Sequence, residues 1–146
     1  MMDLGYRTSV RHIRTADGTA KYYVPDGLES FGHVNSRPTE AAVLSVFKAA
    51  TKHGAKCRPD NEHRTQATVL DIGSNEGFFG LLAASWGCRT WMFEPQPSCQ
   101  AALYTALLLN GFGADVARLI PLPVSFAPMQ MLVSPSTASR PSSCGR

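Results

Sequence analysis

The stretch that decides the fold runs from Thr68 to Gly111 and reads TVLDIGSNEGFFGLLAASWGCRTWMFEPQPSCQAALYTALLLNG. Its apolar start, Thr68 to Leu70, predicts a short strand, and a glycine loop, Asp71 to Gly77, follows directly. Phe78 to Trp86 then predicts a helix, which ends where Gly87 lets the chain turn. This succession of strand, loop and helix is the first part of an α/β unit.

The second part of the stretch repeats the pattern. Arg89 to Phe93 predicts another strand, and Ser98 can cap a helix that runs to Asn110, with Gly111 just beyond its end. Strands that alternate with helices in this way are typical of parallel strands joined by right-handed crossovers. We therefore expect an α/β fold with a partial doubly wound, Rossmann-like parallel sheet.

The chain before this stretch predicts a hairpin and a helix. Two short strands between Ser9 and Val24 flank Asp17-Gly18, a dipeptide that tolerates a tight turn. Pro38 fits the first turn of a helix, and Gly54 is its expected stop. The apolar positions that recur on one face of this helix are Val43, Phe47 and Ala50.

The chain after the stretch becomes irregular. Leu119 to Ser125 is an edge strand or an irregular segment, because Pro121 and Pro123 cannot both donate to a central ladder. Met129 to Val133 is a candidate for one more strand. Residues 134–146, SPSTASRPSSCGR, predict a disordered tail.

Composition indicates a globular chain with no bias toward nucleic acid. Apolar residues make up 44% and charged residues 17% of the 146 residues, a length that fits one domain. The formal net charge is +3; ten of the 14 basic residues precede Val69, but so do seven of the 11 acidic ones. Charge therefore gives no basic arm, and we expect no nucleic-acid partner.

The four cysteines show no paired spacing, and the N-terminus lacks the apolar run of a signal peptide. No stretch is long and apolar enough for a membrane span. The simplest interpretation is a soluble, cytoplasmic protein with reduced thiols. The cysteines are Cys57, Cys88, Cys99 and Cys144.

Two groups of residues are candidates for metal or acid–base chemistry, and neither is favoured. His53, Cys57 and His63 match no tetrahedral spacing, so we expect no metal site. His33 is expected to be a solvated loop histidine, although a general base is the alternative.

The glycine loop has the composition of a ligand site. Glycines let a ligand approach the backbone, and amides at a helix start bind polar or anionic groups. A dinucleotide site needs G-x-G-x-x-G, but counting from Gly73 the middle position is Asn75 and the third is Phe78. The form D-x-G-x-x-x-G instead favours S-adenosyl-L-methionine, and Asn75 tolerates a left-handed backbone.

An acid follows the next strand. Glu94 directly follows Arg89 to Phe93, where a carboxylate accepts hydrogen bonds from ribose hydroxyls in doubly wound folds. Pro95 can make a flat apolar contact with a base. Two other acids have alternatives: Glu76 is expected to be solvated in the first helical turn, and Asp71 is either a site residue or a helix N-terminal charge.

The same motifs resemble the FkbM methyltransferase family. The run Asp71 to Phe79 is similar to its DIGAN-x-G-aromatic motif, with Ser74 where the family usually has alanine, and Phe93 to Pro97 matches F-E-P-x-P. Asn110-Gly111 matches the N-G that ends the next helix. The resemblance covers roughly a third of the chain, and the two motifs at this spacing are specific.

The resemblance implies an S-adenosyl-L-methionine-dependent methyltransferase that methylates a hydroxyl on a sugar or other small molecule. It implies that Gly73, Asn75 and Gly77 line the amino-acid end of the cofactor, with Asp71 nearby, and that Glu94 holds the ribose. The catalytic base and the oligomeric state are not indicated. The chain then divides into an N-terminal part (1–66), a cofactor-binding α/β half-domain (67–133) and the tail (134–146).

The family's later K-x-D-x-E-G-x-E motif does not occur, and 33 residues follow Gly113. We therefore expect a truncated chain in which Thr68 to Leu70 forms an exposed apolar edge. Two alternatives to an active methyltransferase stay open. One is a non-catalytic remnant with a partial nucleoside site, and the other is an NAD(P)-binding oxidoreductase.

Overall fold

A computed structural model describes residues 8–15, 18–25, 38–54, 57, 66–125 and 127 of the chain. In chain order its elements are β1 (Thr8–Thr15), β2 (Gly18–Pro25), α1 (Pro38–Lys48), a π-helical turn (Ala49–Gly54), β3 (Thr68–Ile72), α2 (Phe78–Ser85), β4 (Arg89–Phe93), α3 (Pro97–Asn110) and β5 (Ala117–Ile120). The described strands form an antiparallel hairpin, β1-β2, and a parallel sheet in the order β3-β4-β5. The expected α/β fold with a partial Rossmann-like sheet is confirmed.

The parallel register brings the carboxyl ends of β3 and β4 together, with Asp71 opposite Met92 and Ile72 opposite Phe93. Strand β5 begins earlier than the sequence suggests, at Ala117, and ends at Ile120. The prolines at 121 and 123 therefore lie after the strand, where no ladder hydrogen bond is needed.

Helix α3 also begins earlier than expected. Its N-cap is Gln96, and Pro97 occupies the first turn, so Ser98 is inside the helix and the prediction that it caps the helix is wrong. Proline needs no backbone donor there, which favours the earlier start. The predicted end is confirmed, because Gly111 has a φ of 65° and closes the helix.

The main core lies between one face of the parallel sheet and the two helices that follow its strands. Helix α2 lies directly on β4, since a Cβ on Gly80 would come within 2.5 Å of Met92. Helix α3 adds Leu103, Ala106 and Leu107 to the same cluster. Leu109, on the same helix, is 37% exposed, because it lies beyond the arc of α3 that meets the core.

The N-terminal hairpin packs onto the helices through β2. Val24 is fully buried, and β2 contacts both α2 and α3. The Asn110 side chain pairs with the backbone of Tyr23: its Oδ1 accepts from the Tyr23 amide at 2.7 Å, and its Nδ2 donates to the Tyr23 carbonyl at 2.8 Å. The Asn110 side chain thus pairs with Tyr23 as the backbone of a neighbouring strand would, and it anchors the predicted hairpin to α3. Within the hairpin, Thr15 pairs with Gly18.

Helix α1 packs on the outer side of α2 through Phe47. The Phe47 ring lies 5.0 Å from the Phe79 ring and 6.0 Å from the Trp86 ring, between centroids. The prediction that Val43 and Ala50 share the packed face with Phe47 is wrong, since both are exposed. The buried neighbours of Phe47 on α1 and the π-helical turn are Leu44 and Thr51.

The predicted neighbours, Val43 and Ala50, and the observed ones, Leu44 and Thr51, all lie about one helical turn from Phe47. The sequence pattern alone therefore could not decide which pair shares the packed face with Phe47. The choice was made by the aromatic side chains on α2 against which Phe47 packs. The widened π-helical turn after Lys48 also rotates the side chains that follow it about the helix axis, relative to those of a continuous α-helix.

A disulfide joins Cys57 to Cys88 across a sequence separation of 31 residues. The expectation of reduced thiols is therefore wrong for this pair, because Cys57 lies against Cys88, the residue before β4. Cys99 is also disulfide-bonded, so the expectation is wrong for this residue too.

Several expectations lie outside the described residues: the strand at 129–133, the tail at 134–146, and the loop residues His33 and His63. Within the described ranges, every helix falls short of the length and continuous apolarity that spanning a bilayer requires.

We predict that replacing both Cys57 and Cys88 by alanine lowers the free energy of unfolding by about 3 to 4 kcal/mol under non-reducing conditions, because the unfolded chain gains freedom in the opened loop. Urea unfolding of the wild-type and double-variant proteins measures this difference. In reducing buffer both proteins lack the bond, so the difference should shrink. Alkylation of Cys57 in unreduced, unfolded protein would contradict the prediction.

Candidate functional site

The glycine loop is fastened to the end of the neighbouring strand by backbone hydrogen bonds. The amides of Gly73 and Ser74 both donate to the carbonyl of Phe93 at 3.0 Å. The Ser74 hydroxyl donates to the carbonyl of Asp71 at 2.7 Å, which closes the first turn of the loop. The loop therefore comes directly after β3 in the chain and is hydrogen-bonded to the carboxyl end of β4.

Glu94 joins the loop to the start of α3 through its carboxylate. Oε2 accepts from the Asn75 amide at 2.7 Å, and Oε1 accepts from the Gln96 amide at 2.8 Å. The residue is only 2% exposed. A carboxylate buried this deeply needs such donors, because removal from water without them is very unfavourable.

Sequence reasoning found Glu94 but missed the two glutamines around it. The side chain of Gln100 donates to the Glu94 carbonyl at 2.8 Å and so fixes the backbone on which the carboxylate is carried. Their position in the sequence could have indicated this role. Gln96 and Gln100 lie at the start of a helix that directly follows a strand end, where backbone groups lack helical partners and side chains can supply them.

The loop backbone requires residues that accept a positive φ. Asn75 has a φ of 53°, as its residue type suggested. Gly77 has a φ of 85°, and a Cβ there would lie 2.1 Å from Leu103 Cδ2, so this glycine also lets α3 approach. Gly73 has a φ of 74°, but a Cβ there would meet nothing within 4 Å. Space beside Gly73 is therefore open, whereas space beside Gly77 is filled.

Asp71 points toward the helix that follows the loop. Its Oδ2 accepts from the Gly80 amide at 2.9 Å. The N-cap position of α2 is Gly77, which has no side chain, so Asp71 satisfies one of the unpaired amides of the first turn from the strand. Of the two interpretations from sequence, the helix N-terminal role is confirmed by this contact, and the role in a ligand site stays a prediction.

Burial raises the pKa of the Asp71 carboxyl above its ordinary value. Hydrogen bonds from Gly80 and Ser74 lower this pKa, and the nearby Glu94 carboxylate raises it. Desolvation is the largest of these effects, so the ionised form is less favourable in the folded chain than in the unfolded one.

Glu76 is not the solvated residue that the sequence suggested. It is 3% exposed and precedes α2, which begins at Phe78. The expectation was wrong because the loop folds back against β4 and α3, which carries Glu76 away from solvent.

The site residues predicted from sequence lie together but differ in accessibility. Gly73 is exposed, whereas Asp71, Asn75 and Pro95 are half-buried. The buried members are Ser74, Gly77 and Glu94. No group of three possible metal ligands occurs among the described residues.

Among solved structures, the chain is similar in fold to a methyltransferase. A SAM-dependent methyltransferase from Agrobacterium tumefaciens shares 17% identity with this chain at a TM-score of 0.46, over 77% of this chain and 32% of that one. The chain thus spans about a third of the length of that protein. No family model matches the chain, and no curated protein matches it.

We predict that the two glycines of the loop differ in their tolerance of alanine. Gly77→Ala combines a left-handed backbone with a clash against Leu103 and should lower the free energy of unfolding by about 3 kcal/mol. Gly73→Ala has only the backbone penalty and should lower it by about 1 kcal/mol. Urea unfolding measures both.

The matched control is the double variant Gly77→Ala/Leu103→Ala. Because the clash is removed, its loss of stability should be smaller than the sum of the losses in the two single variants. Equal losses for Gly73→Ala and Gly77→Ala would contradict this account of the loop.

We predict that Asp71→Asn makes the protein more stable than wild type at pH 7. The folded pKa lies above the unfolded value of 3.8, so ionisation of Asp71 opposes folding above that folded pKa and has no effect below the unfolded one. Asparagine keeps an acceptor for the Gly80 amide and carries no charge. Unfolding in urea at pH 7 and at about pH 4 should show the difference shrinking as the pH falls; a difference independent of pH would contradict it.

Proposed function

We propose that this chain binds S-adenosyl-L-methionine at the loop from Gly73 to Gly77 and the end of β4, as the cofactor-binding part of a methyltransferase similar to the FkbM family. The observation that carries the proposal is the position of the Glu94 carboxylate, 2.7 Å from the Asn75 amide of the glycine loop. An acid and a glycine loop at the carboxyl ends of adjacent parallel strands are the arrangement in which open α/β sheets bind nucleosides.

The residues present fit the ribose and the amino-acid part of this cofactor. Each Glu94 oxygen accepts one backbone hydrogen bond and retains a second acceptor direction, which suits the two ribose hydroxyls. The open space beside Gly73 lets a ligand lie against the backbone. Pro95, half-buried next to Glu94, offers an apolar surface to the base.

When bound, the cofactor supplies a methyl group on a sulfonium, which is already a good leaving group. The part assigned to this chain is to bind and orient that molecule, because positioning accounts for much of the rate in such displacements. The acceptor proposed is a hydroxyl on a sugar or other small molecule, and it rests on the family resemblance alone. No residue of this chain is assigned as the catalytic base.

One observation favours a second candidate, a non-catalytic remnant. The carboxylates of Glu94 and Asp71 already accept hydrogen bonds from backbone amides, and Glu94 is 2% exposed. Such an arrangement holds the loop without any ligand. Binding of the cofactor therefore requires the ribose to gain access to Glu94, and a direct binding measurement separates the two candidates.

Isothermal titration with S-adenosyl-L-methionine and with NADH is the test. We predict that wild-type protein binds the methyl donor and not NADH, since Asn75 and Phe78 replace two glycines of the dinucleotide motif. Glu94→Gln should weaken binding at least about tenfold, because a charged acceptor is lost. Asp115→Asn, which removes an exposed charge, is the control and should bind as wild type does.

Thermal unfolding of each variant shows whether a loss of binding is a loss of folded protein. Binding of neither ligand by folded wild-type protein would reject the proposal and favour the remnant. Binding of NADH alone would favour an oxidoreductase.

A further inference from the structure

The end of α3 carries a reactive dipeptide. Among the asparagines of the sequence, Asn110 is the one that a glycine follows. In an Asn-Gly pair the glycine amide nitrogen attacks the side-chain carbonyl carbon of the asparagine, because the glycine has no Cβ to hinder the approach. A new N–C bond closes a succinimide ring and ammonia leaves. Water then opens the ring to aspartate or isoaspartate, so water is the one co-reactant that the chemistry needs.

The folded chain keeps the two reacting atoms apart. Asn110 Nδ2 donates to the carbonyl of Ala106 at 2.7 Å, so the side-chain amide points back along the helix and away from Gly111. The Gly111 amide donates to the Leu108 carbonyl at 3.1 Å, as is usual where a glycine ends a helix. The attacking nitrogen must lose the proton that it holds in this bond. The helix end therefore has to open before the reaction starts.

The N-terminal hairpin holds this arrangement closed. The Tyr23 amide donates to Asn110 Oδ1 at 2.7 Å, and Asn110 Nδ2 donates to the Tyr23 carbonyl at 2.8 Å. Both polar atoms of the Asn110 side chain are thus bound to β2. The side chain turns toward Gly111 only when these bonds break, and Val24, fully buried beside Tyr23, keeps β2 in place.

Deamidation would replace attraction with repulsion at this contact. A carboxylate has no hydrogen to donate, so one of its oxygens would face the carbonyl oxygens of Tyr23 and Ala106 at the distances that Nδ2 now has, 2.8 and 2.7 Å. Acceptors that face acceptors away from water are costly in free energy. A hairpin that opens and lets the reaction proceed therefore loses its anchor on α3.

We propose that Asn110 is a deamidation site whose reaction is gated by docking of the N-terminal hairpin. The docked hairpin protects the asparagine, and the reacted side chain no longer binds the hairpin, so opening leads to permanent release. Asn110 lies at the opposite end of α3 from Gln96, about 20 Å away for a helix of this length. The proposal therefore stands whether or not the chain binds a methyl donor.

The first experiment measures the reaction in the full chain. Protein is kept in warm, slightly alkaline buffer, with and without unfolding urea, and deamidation of Asn110 is followed by mass spectrometry of the peptide that contains it. We expect a rate at least about tenfold slower without urea, because the reaction proceeds from an opened state. Gly111→Ala should slow the reaction at least about tenfold in urea, because the added Cβ hinders the attack. Equal rates of wild-type protein with and without urea would overturn the proposal.

Two variants separate opening of the hairpin from general loss of stability. Val24→Ala should speed deamidation in buffer at least about fivefold, because the loss of buried methyl groups weakens docking. Phe47→Ala is the matched control: its ring packs on Phe79 and Trp86, and its removal should change the rate by less than about twofold. Equal acceleration by the two variants, or none by Val24→Ala, would overturn the proposal. If Val24→Ala does not fold, urea below the unfolding transition of wild-type protein opens the hairpin in its place and should speed the reaction.

The last experiment tests the effect of the product. In Asn110→Asp the Tyr23 amide should exchange its hydrogen with solvent at least about tenfold faster than in wild type at neutral pH, because docking is lost. The Thr90 amide, which donates to the Val116 carbonyl in the parallel sheet, is the internal control and should keep its protection. Wild-type protein that has deamidated should behave in the same way. Full protection of the Tyr23 amide in both proteins would show that the reaction does not release the hairpin and would overturn the proposal.

Discussion

The amide of Asn75 donates to Glu94 Oε2 at 2.7 Å, and this contact holds the glycine loop against the end of the second parallel strand. A hydrogen bond to a charged group contributes about 1.5 to 3 kcal/mol, and a buried carboxylate left without one is far less favourable. The second oxygen, bound to the Gln96 amide, extends the link to the start of α3. Strand, loop and helix are thus oriented by one side chain.

The same carboxylate is the group proposed to hold the ribose, so the proposed binding would use atoms that also hold the loop in place. Asp71 lies at the end of β3, beside the proposed site, and its Oδ2 accepts a hydrogen bond from the Gly80 amide of α2. Burial raises the pKa of the Asp71 carboxyl, so its charged form is less favourable in the folded chain than in the unfolded one. Acids in such surroundings are common at functional sites, where polar groups face a ligand and not only their own fold.

The rest of the structure is arranged asymmetrically about the sheet. Helices α2 and α3 cover the inner face, and the hairpin and α1 form a further layer on those helices, tied by Asn110, Phe47 and the disulfide from Cys57 to Cys88. The opposite face of the sheet carries Leu70 and Trp91, whose side chains are exposed. The expected exposed edge at Thr68 to Leu70 agrees with this arrangement, since β3 has a neighbour on one side only among the described strands.

Local chemistry in the sequence determined the order of strands and helices, the hairpin, the left-handed backbone at Asn75 and the helix end at Gly111, because each depends on residues close in the chain. The disulfide between residues 31 apart, the burial of Glu76 and the choice of packed face on α1 were decided by the tertiary structure alone. These features depend on which distant surfaces meet, and hydrophobic spacing leaves several such meetings equally possible. The tertiary structure also decided that the carboxylate of Glu94 is enclosed by backbone amides, a fact that its place after a strand could not reveal.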